Sequence, residues 1–211
     1  MPAETLANRP VLPQLHLLAK APLAGQAKTR LAPLLGNQGA ANAHAELLRH
    51  CVANVCQALP AENVTLWTAL DHAHPLFIEL HEQFGLTLRR QPDGDLGVRV
   101  RHALNHTPGP AMVMGSDCPS ITSALITACA QQLTHHDVVI LPAEDGGYGL
   151  IGAQRDYPGL FESIPWGSHQ VLSATRQRIE ALGLRATYPA TIWDVDRPED
   201  WQRWKEVTAA L

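Results

Sequence analysis

Three apolar runs in the sequence end in carboxylates, and a fourth ends in basic residues. Ala111–Gly115 leads into Ser116 and Asp117, Val138–Ala143 into Glu144 and Asp145, and Thr191–Trp193 into Asp194, Val195 and Asp196. The fourth run, Leu15–Ala19, leads into Lys20 and a loop with Pro22, Gly25, Lys28, Thr29 and Arg30. Carboxylates gathered at one place suit an oxygen-seeking divalent cation, Mg²⁺ or Mn²⁺. A basic loop beside them suits the phosphates that such a cation bridges. The four endings together describe a site for a metal–phosphate complex.

Each segment has its own candidate chemistry. Asp117 with Asp196 or Asp194 supplies the one or two carboxylates that a phosphate-bridged cation needs. Lys20, Lys28 and Arg30 converge on a polyphosphate, Thr29 offers a hydroxyl, and Gly25 allows a backbone turn that other residues avoid. Asp145 or Glu144 is a base or a metal ligand, and Gly146, Gly147 and Tyr148 allow close approach of a substrate. Arg99 offers a bidentate fork to phosphate. Plainer readings stand beside these: a solvated strand–helix connection, an aspartate N-cap or Asx turn at Asp117, a tight turn with exposed acids, and a solvated helix face at Arg99. The basic loop lacks the glycine-lysine spacing of a Walker A motif. Trp166, between Pro165 and Gly167, reads as a packing residue. The eleven histidines show no metal-ligand spacing.

Elements must bring these endings together, and an open parallel sheet does so, because ligands bind beyond the carboxyl ends of its strands. Strands are expected at Gln14–Lys20, Asn63–Ala69, Leu86–Arg90, Ala111–Gly115, Val138–Leu141, within 146–152, and at Thr191–Val195. Helices are expected over Gly36–Leu59, with a stripe of Leu48, Val52, Val55 and Leu59, and over Pro75–Phe84 and Asp95–Asn105. Further helices follow an N-cap at Thr122, cover His169–Leu182 with Gly183 as terminator, and start at Pro198 with Glu199 and Asp200 in the first turn. The last carries Trp201, Trp204, Val207 and Leu211 as its apolar stripe. Strands alternating with helices imply an α/β fold, three layers with a mostly parallel sheet, in one domain over residues 14–211 after a lead-in of residues 1–13.

Composition narrows the class. The 211 residues are 45% hydrophobic and 17% charged, enough for a sizeable core. A net charge of −4 argues against a nucleic-acid partner. Of only three lysines, Lys20 and Lys28 lie close together, which is hard to dismiss as a solvated surface. Cys51, Cys56, Cys118 and Cys129 form no Cys-x-x-Cys pair and read as reduced thiols of a cytoplasmic protein. Neither a membrane span nor a signal peptide is expected. The oligomeric state is not legible.

The ordered motifs resemble a known family. Lys20-Ala21-Pro22, Gly25, Lys28-Thr29-Arg30-Leu31, Gly94-Asp95-Leu96-Gly97, Gly115-Ser116-Asp117-Cys118-Pro119, Glu144-Asp145-Gly146-Gly147-Tyr148 and Asp194-Val195-Asp196 with Pro198-Glu199-Asp200 are similar to the bacterial glycosyltransferase-A-like family of unknown function, DUF2064. That family is grouped with relatives of phospholactate guanylyltransferase. The resemblance spans about residues 14–205. It implies the nucleotide-diphospho-sugar transferase fold and a divalent-cation-dependent transfer from a nucleotide or nucleotide sugar to a small-molecule acceptor. It places Asp117 and Asp196 at the metal and Lys20, Lys28 and Arg30 on the nucleotide-phosphate loop. Arg197 stands where the family usually has threonine, and Val98 where it usually has an acid. Sugar transfer, nucleotidyl transfer by a guanylyltransferase-like route, and a nucleotide-binding module without turnover are the three functions in view.

Overall fold

The computed structural model describes residues 11–209. The expectation for the 1–13 lead-in, and Leu211 in the last stripe, fall largely or wholly outside them. The strands are β1 (Gln14–Lys20), β2 (Val64–Ala69), β3 (Thr87–Arg90), β4 (Ala111–Gly115), β5 (Val138–Pro142), β6 (Tyr148–Ala153) and β7 (Ala186–Thr187). The helices are α1 (Ala32–Ala58), α2 (Pro75–Phe84), α3 (Leu96–Leu104), α4 (Ser123–Gln132), α5 (Val171–Ala181) and α6 (Pro198–Ala209). The seven strands form one sheet in the order β3-β2-β1-β4-β6-β5-β7. All run parallel except β6, which pairs antiparallel with β4 and β5.

The two-residue period of the strands divides the core into layers. Leu15, Leu17, Met112, Met114, Val139 and Leu141 face α1, α2 and α4. On the other face, Ala111, Val113, Val138, Ile140 and Ile151 meet α3 and α5. This is the three-layer α/β/α arrangement that the alternating elements imply. Both faces of the central strands are buried, which explains why their sequences are continuous apolar runs. A third cluster joins Leu31, Ala43, Leu47 and Val195 to Trp201 and Trp204 of α6. Val207 of the same expected stripe is 46% exposed.

Local chemistry sets the helix ends. The Asp95 carboxylate accepts from the Val98 N–H at 2.9 Å and opens α3. The Thr122 hydroxyl accepts from the Leu125 N–H at 3.2 Å and opens α4. Each such cap is worth about 1 kcal/mol. Gly183 terminates α5 in the left-handed region, at φ 64°.

The expectation of a strand over Thr191–Val195 is corrected. Only Ile192 bridges the sheet, opposite Ala143. Its ladder stops because the next backbone groups find other partners. The Trp193 N–H donates to the Ser120 hydroxyl at 3.0 Å, and the Val195 N–H donates to the Asp117 carbonyl at 2.8 Å. The sheet edge is taken instead by β7, two residues that sequence patterning did not reveal. Among the described residues no helix is long and apolar enough to cross a membrane.

Candidate active site

Strand order reverses direction at β1, which has β2 on one side and β4 on the other. Beyond the carboxyl ends of these strands lies a cavity of about 640 Å³. Open α/β sheets bind ligands at such a switch point.

Three buried anchors aim the charged side chains into this cavity. Leu31 is fully buried under α6, and it fixes the turn that carries Lys28, Thr29 and Arg30. Val195 is fully buried in the same cluster. Its neighbours Asp194 and Asp196 both line the cavity. Cys118 and Ile121 are buried beneath Asp117. The alternation of acid, valine and acid is therefore an apolar peg with a carboxylate on either side.

The basic loop and the first acidic ending meet. Lys28 Nζ donates to Asp117 Oδ2 at 2.9 Å and lies 3.9 Å from Asp196 Oδ1. The Lys28 side chain is only 7% exposed, and its backbone is left-handed, at φ 49°. Arg30 pairs with the other oxygen of Asp196. Burial alone would lower the Lys28 pKa, but Asp117, Asp196 and Asp194 together raise it. Burial likewise pushes Asp117 upward, and the ammonium beside it more than offsets this, so its carboxyl lies below the usual range. Asp194 differs. Among the described residues it makes no ion pair, and burial followed by the charges of Asp117 and Asp145 pushes its pKa up to about 6.

The β5–β6 turn splits its two acids. Asp145 lines the cavity and accepts the Gly147 N–H at 2.9 Å, closing an Asx turn. Glu144 faces away: its carboxylate takes a bidentate pair from Arg203 of α6, at 2.9 and 3.2 Å. Arg203 also stacks on Trp193, 4.3 Å from the ring centre. Of the two acids expected as alternative bases, Asp145 lines the cavity, whereas Glu144 is held outside it by Arg203. Gly147 and Tyr148 line the cavity. Gly146 lies behind it: at φ +90°, an added Cβ would sit 2.3 Å from the His169 carbonyl oxygen. Its own carbonyl accepts from the Leu172 N–H at 3.0 Å, which draws the 165–171 segment over the cavity.

Lys20, Thr29 and Arg99 line the cavity, whereas Gly25 shapes the loop at φ +75° without lining it. Arg99 donates to Gln91 Oε1 at 3.2 Å, and its buried Nε has no partner. Gln91 is itself fixed by donating to the carbonyls of Trp67 and Ala19, at 2.9 and 3.1 Å. Sequence reading missed Gln91 and His44. His44 lies four residues before Leu48, on the buried stripe of α1, and that spacing was the available signal. Its Nε2 donates to the Lys20 carbonyl at 3.0 Å, and burial lowers its pKa. Trp166 packs as expected, and also walls the cavity: it fills the space that a Cβ on Gly97 would occupy, 2.4 Å from its Nε1.

Among the described residues no three His, Cys, Asp or Glu side chains converge on one metal position. The expected pair, Asp117 with Asp196 or Asp194, lies in one cavity: Asp117 and Asp196 are held by cations and Asp194 is not. The donor set still fits a hard cation: all are carboxylate oxygens, and the uncompensated charge at Asp194 favours a positive ion.

Solved structures repeat this architecture. A candidate nucleotide-diphospho-sugar transferase of Desulfovibrio desulfuricans G20 is 27% identical, with a TM-score of 0.77 over 87% of this chain and 81% of that one. CMP:2-keto-3-deoxy-manno-octonic acid synthetase, solved with CTP, is 16% identical, with a TM-score of 0.62 over 94% of this chain and 99% of that one. A cytidylyltransferase of Leptospira borgpetersenii serovar Hardjo-bovis is 13% identical, with a TM-score of 0.63 over 94% and 87%. The chain has the nucleotide-diphospho-sugar transferase fold. No curated protein matches the sequence. A family profile described as "Uncharacterized protein conserved in bacteria (DUF2064)" matches residues 52–168, more than half of the chain. With the basic loop, the paired Asp117 and the glycine-rich β5–β6 turn in place, the chain belongs to this family.

Proposed function

We propose that the protein is a divalent-cation-dependent transferase acting on a nucleotide or nucleotide sugar, glycosyltransferase-like, with a small-molecule acceptor. The observation that carries this reading is the meeting of Lys28 with Asp117 and Asp196 at the β1–β4 switch point. Lys20, Lys28 and Arg30 hold the phosphates, with Thr29 as a further donor and Arg99 on the far wall. Asp117, with Asp194 or Asp196, holds Mg²⁺ or Mn²⁺. When bound, the cation neutralises charge that develops on the diphosphate leaving group. Lys28 and Arg30 share that charge from preorganised positions, which is typically the largest catalytic contribution. Asp145 takes the proton of an acceptor hydroxyl, with Gly147 and Tyr148 beside it. Trp166 and the 165–171 segment limit water at the reacting atoms.

Nucleotidyl transfer is the second reading, and the orientation of Glu144 favours it. With that acid tied to Arg203, the β5–β6 turn keeps one acid in the cavity, facing several cations. An acceptor phosphate needs no base to attack an α-phosphorus, and Lys28 or Arg30 would stabilise that centre. The four cysteines are all free thiols, which supports a cytoplasmic setting.

Turnover distinguishes the readings. Incubation with Mn²⁺, nucleoside triphosphates or nucleotide sugars, and an acceptor panel should release nucleoside diphosphate for sugar transfer, or diphosphate for nucleotidyl transfer. Thermal stabilisation by nucleotides without either product would identify a binding module and overturn the enzymatic reading.

A further inference from the structure

We propose that Lys28 is a built-in counter-cation that competes with a divalent ion for Asp117, so that metal and nucleotide phosphate enter as a coupled pair. The inference rests on the reading of the cavity as a metal–phosphate site and adds an order of events to it. An ammonium 2.9 Å from Asp117 Oδ2 takes up the charge and the coordination space that an oxygen-seeking cation requires there. The contact is not a loose surface pair, because the lysine side chain is 7% exposed and is also 3.9 Å from Asp196. Its backbone is left-handed three residues before the buried anchor Leu31, so the pairing is built into the loop. Arg30 closes the second clasp, on Asp196.

A lysine has three donors on a flexible stem and can exchange a carboxylate for a phosphate oxygen with a small movement. A phosphate arriving at the loop draws Lys28 off Asp117 and so exposes that carboxylate to the cation. A cation arriving alone must displace the ammonium against like-charge repulsion. The two ligands then strengthen each other's binding by the same factor, because coupling is reciprocal.

The test uses Mn²⁺ alone, titrated by electron paramagnetic resonance into the full chain. Lys28→Met should bind free Mn²⁺ about fivefold more tightly than the wild type, or better, in the usual range of coupling factors. Lys205→Met removes a cation that lies outside the cavity and pairs with Glu46, and should leave free Mn²⁺ affinity unchanged. Equal affinity in Lys28→Met and wild type, or equal tightening in both variants, would overturn the proposal. A second measurement needs no variant. With only three lysines in the sequence, acetic anhydride labelling can be read residue by residue in a mass spectrum. Mn²⁺ should raise labelling of Lys28 at least severalfold while Lys205 stays constant; labelling of Lys28 that ignores Mn²⁺ would contradict the exchange. Tightened Mn²⁺ binding in Lys28→Met, together with no turnover by the wild-type protein on any nucleotide, would remove the transferase reading alone. Turnover with unchanged Mn²⁺ binding would remove the counter-cation alone.

Discussion

On the β1–β4 side of the cavity, carboxylates meet cations: Asp117 sits against Lys28, and Asp196 against Arg30. Toward Asp145 of the β5–β6 turn they do not. Asp194 faces the charges of Asp117 and Asp145 with no cation of its own, and its pKa rises to about 6. Four acids thus lie close in space but carry different electrostatic balances, set by which loop each one faces. On our reading the first side is the one preorganised for phosphate. The second carries the unbalanced negative charge that a metal ion would neutralise. Position at a strand end selects candidate residues, and the partner decides what each can do.

The sharpest way to break this contrast is at Asp117. Asp117→Asn should lower turnover by about 100-fold or more, as loss of a charge-positioning group commonly does. Unchanged turnover would place the chemistry elsewhere. The β5–β6 turn offers the next test, because its two acids are adjacent. Asp145→Asn should cost about 100-fold, the lower end for a general base. Glu144→Gln should leave turnover unchanged and cost at most about 1 kcal/mol of stability, since its pair with Arg203 is solvent-exposed. The reverse ranking would mean that Glu144 swings inward.

Gly146→Ala should destabilise the fold by about 2–3 kcal/mol, through a clash with the backbone of His169 and a strained φ of +90°. Chemical denaturation measures it, and a loss below about 0.5 kcal/mol would mean that the 165–171 segment yields instead of being pinned. The smallest effects are the most diagnostic, because they have opposite signs. The Asp117 pKa is lowered in the fold, so its contribution is present above pH 3.8 and lost as the pH falls through the lower folded value. Asp117→Asn should therefore lower Tm at pH 8 and lose that effect progressively as the pH falls below 3.8. The Asp194 pKa is raised, so its favourable contribution exists below pH 3.8 and is lost as the pH rises through about 6. Asp194→Asn should raise Tm at pH 8 by about 2–4 °C, for roughly 1 kcal/mol after solvent screening, and change nothing near pH 4. Shifts of the same sign would erase the distinction between the two sides.

Most of the scaffold was legible because its signals are local. The buried strands are apolar runs, α2 begins at a proline, and α3 and α4 carry capping side chains. The Thr191–Val195 segment was misread because its backbone groups bond to the 117–120 loop, a pairing no local pattern encodes. β7 is two residues long and has no period to detect. In the site, the acidic endings could be collected from sequence, but the direction of Glu144 could not. It depends on Arg203, 59 residues away in the chain. Gln91 and His44 escaped because their roles lie in backbone carbonyls that they hold, not in any motif.

The most direct test of a cation held at these strand ends is affinity cleavage. Fe²⁺ in place of Mg²⁺, with a nucleoside triphosphate and ascorbate, generates radicals that cut the backbone next to the metal. Cuts near residues 117, 145 and 194–196 that appear only with nucleotide, and that vanish in Asp117→Asn, are the predicted result. Nucleotide-dependent cuts elsewhere in the chain, or cuts that persist in Asp117→Asn, would contradict it.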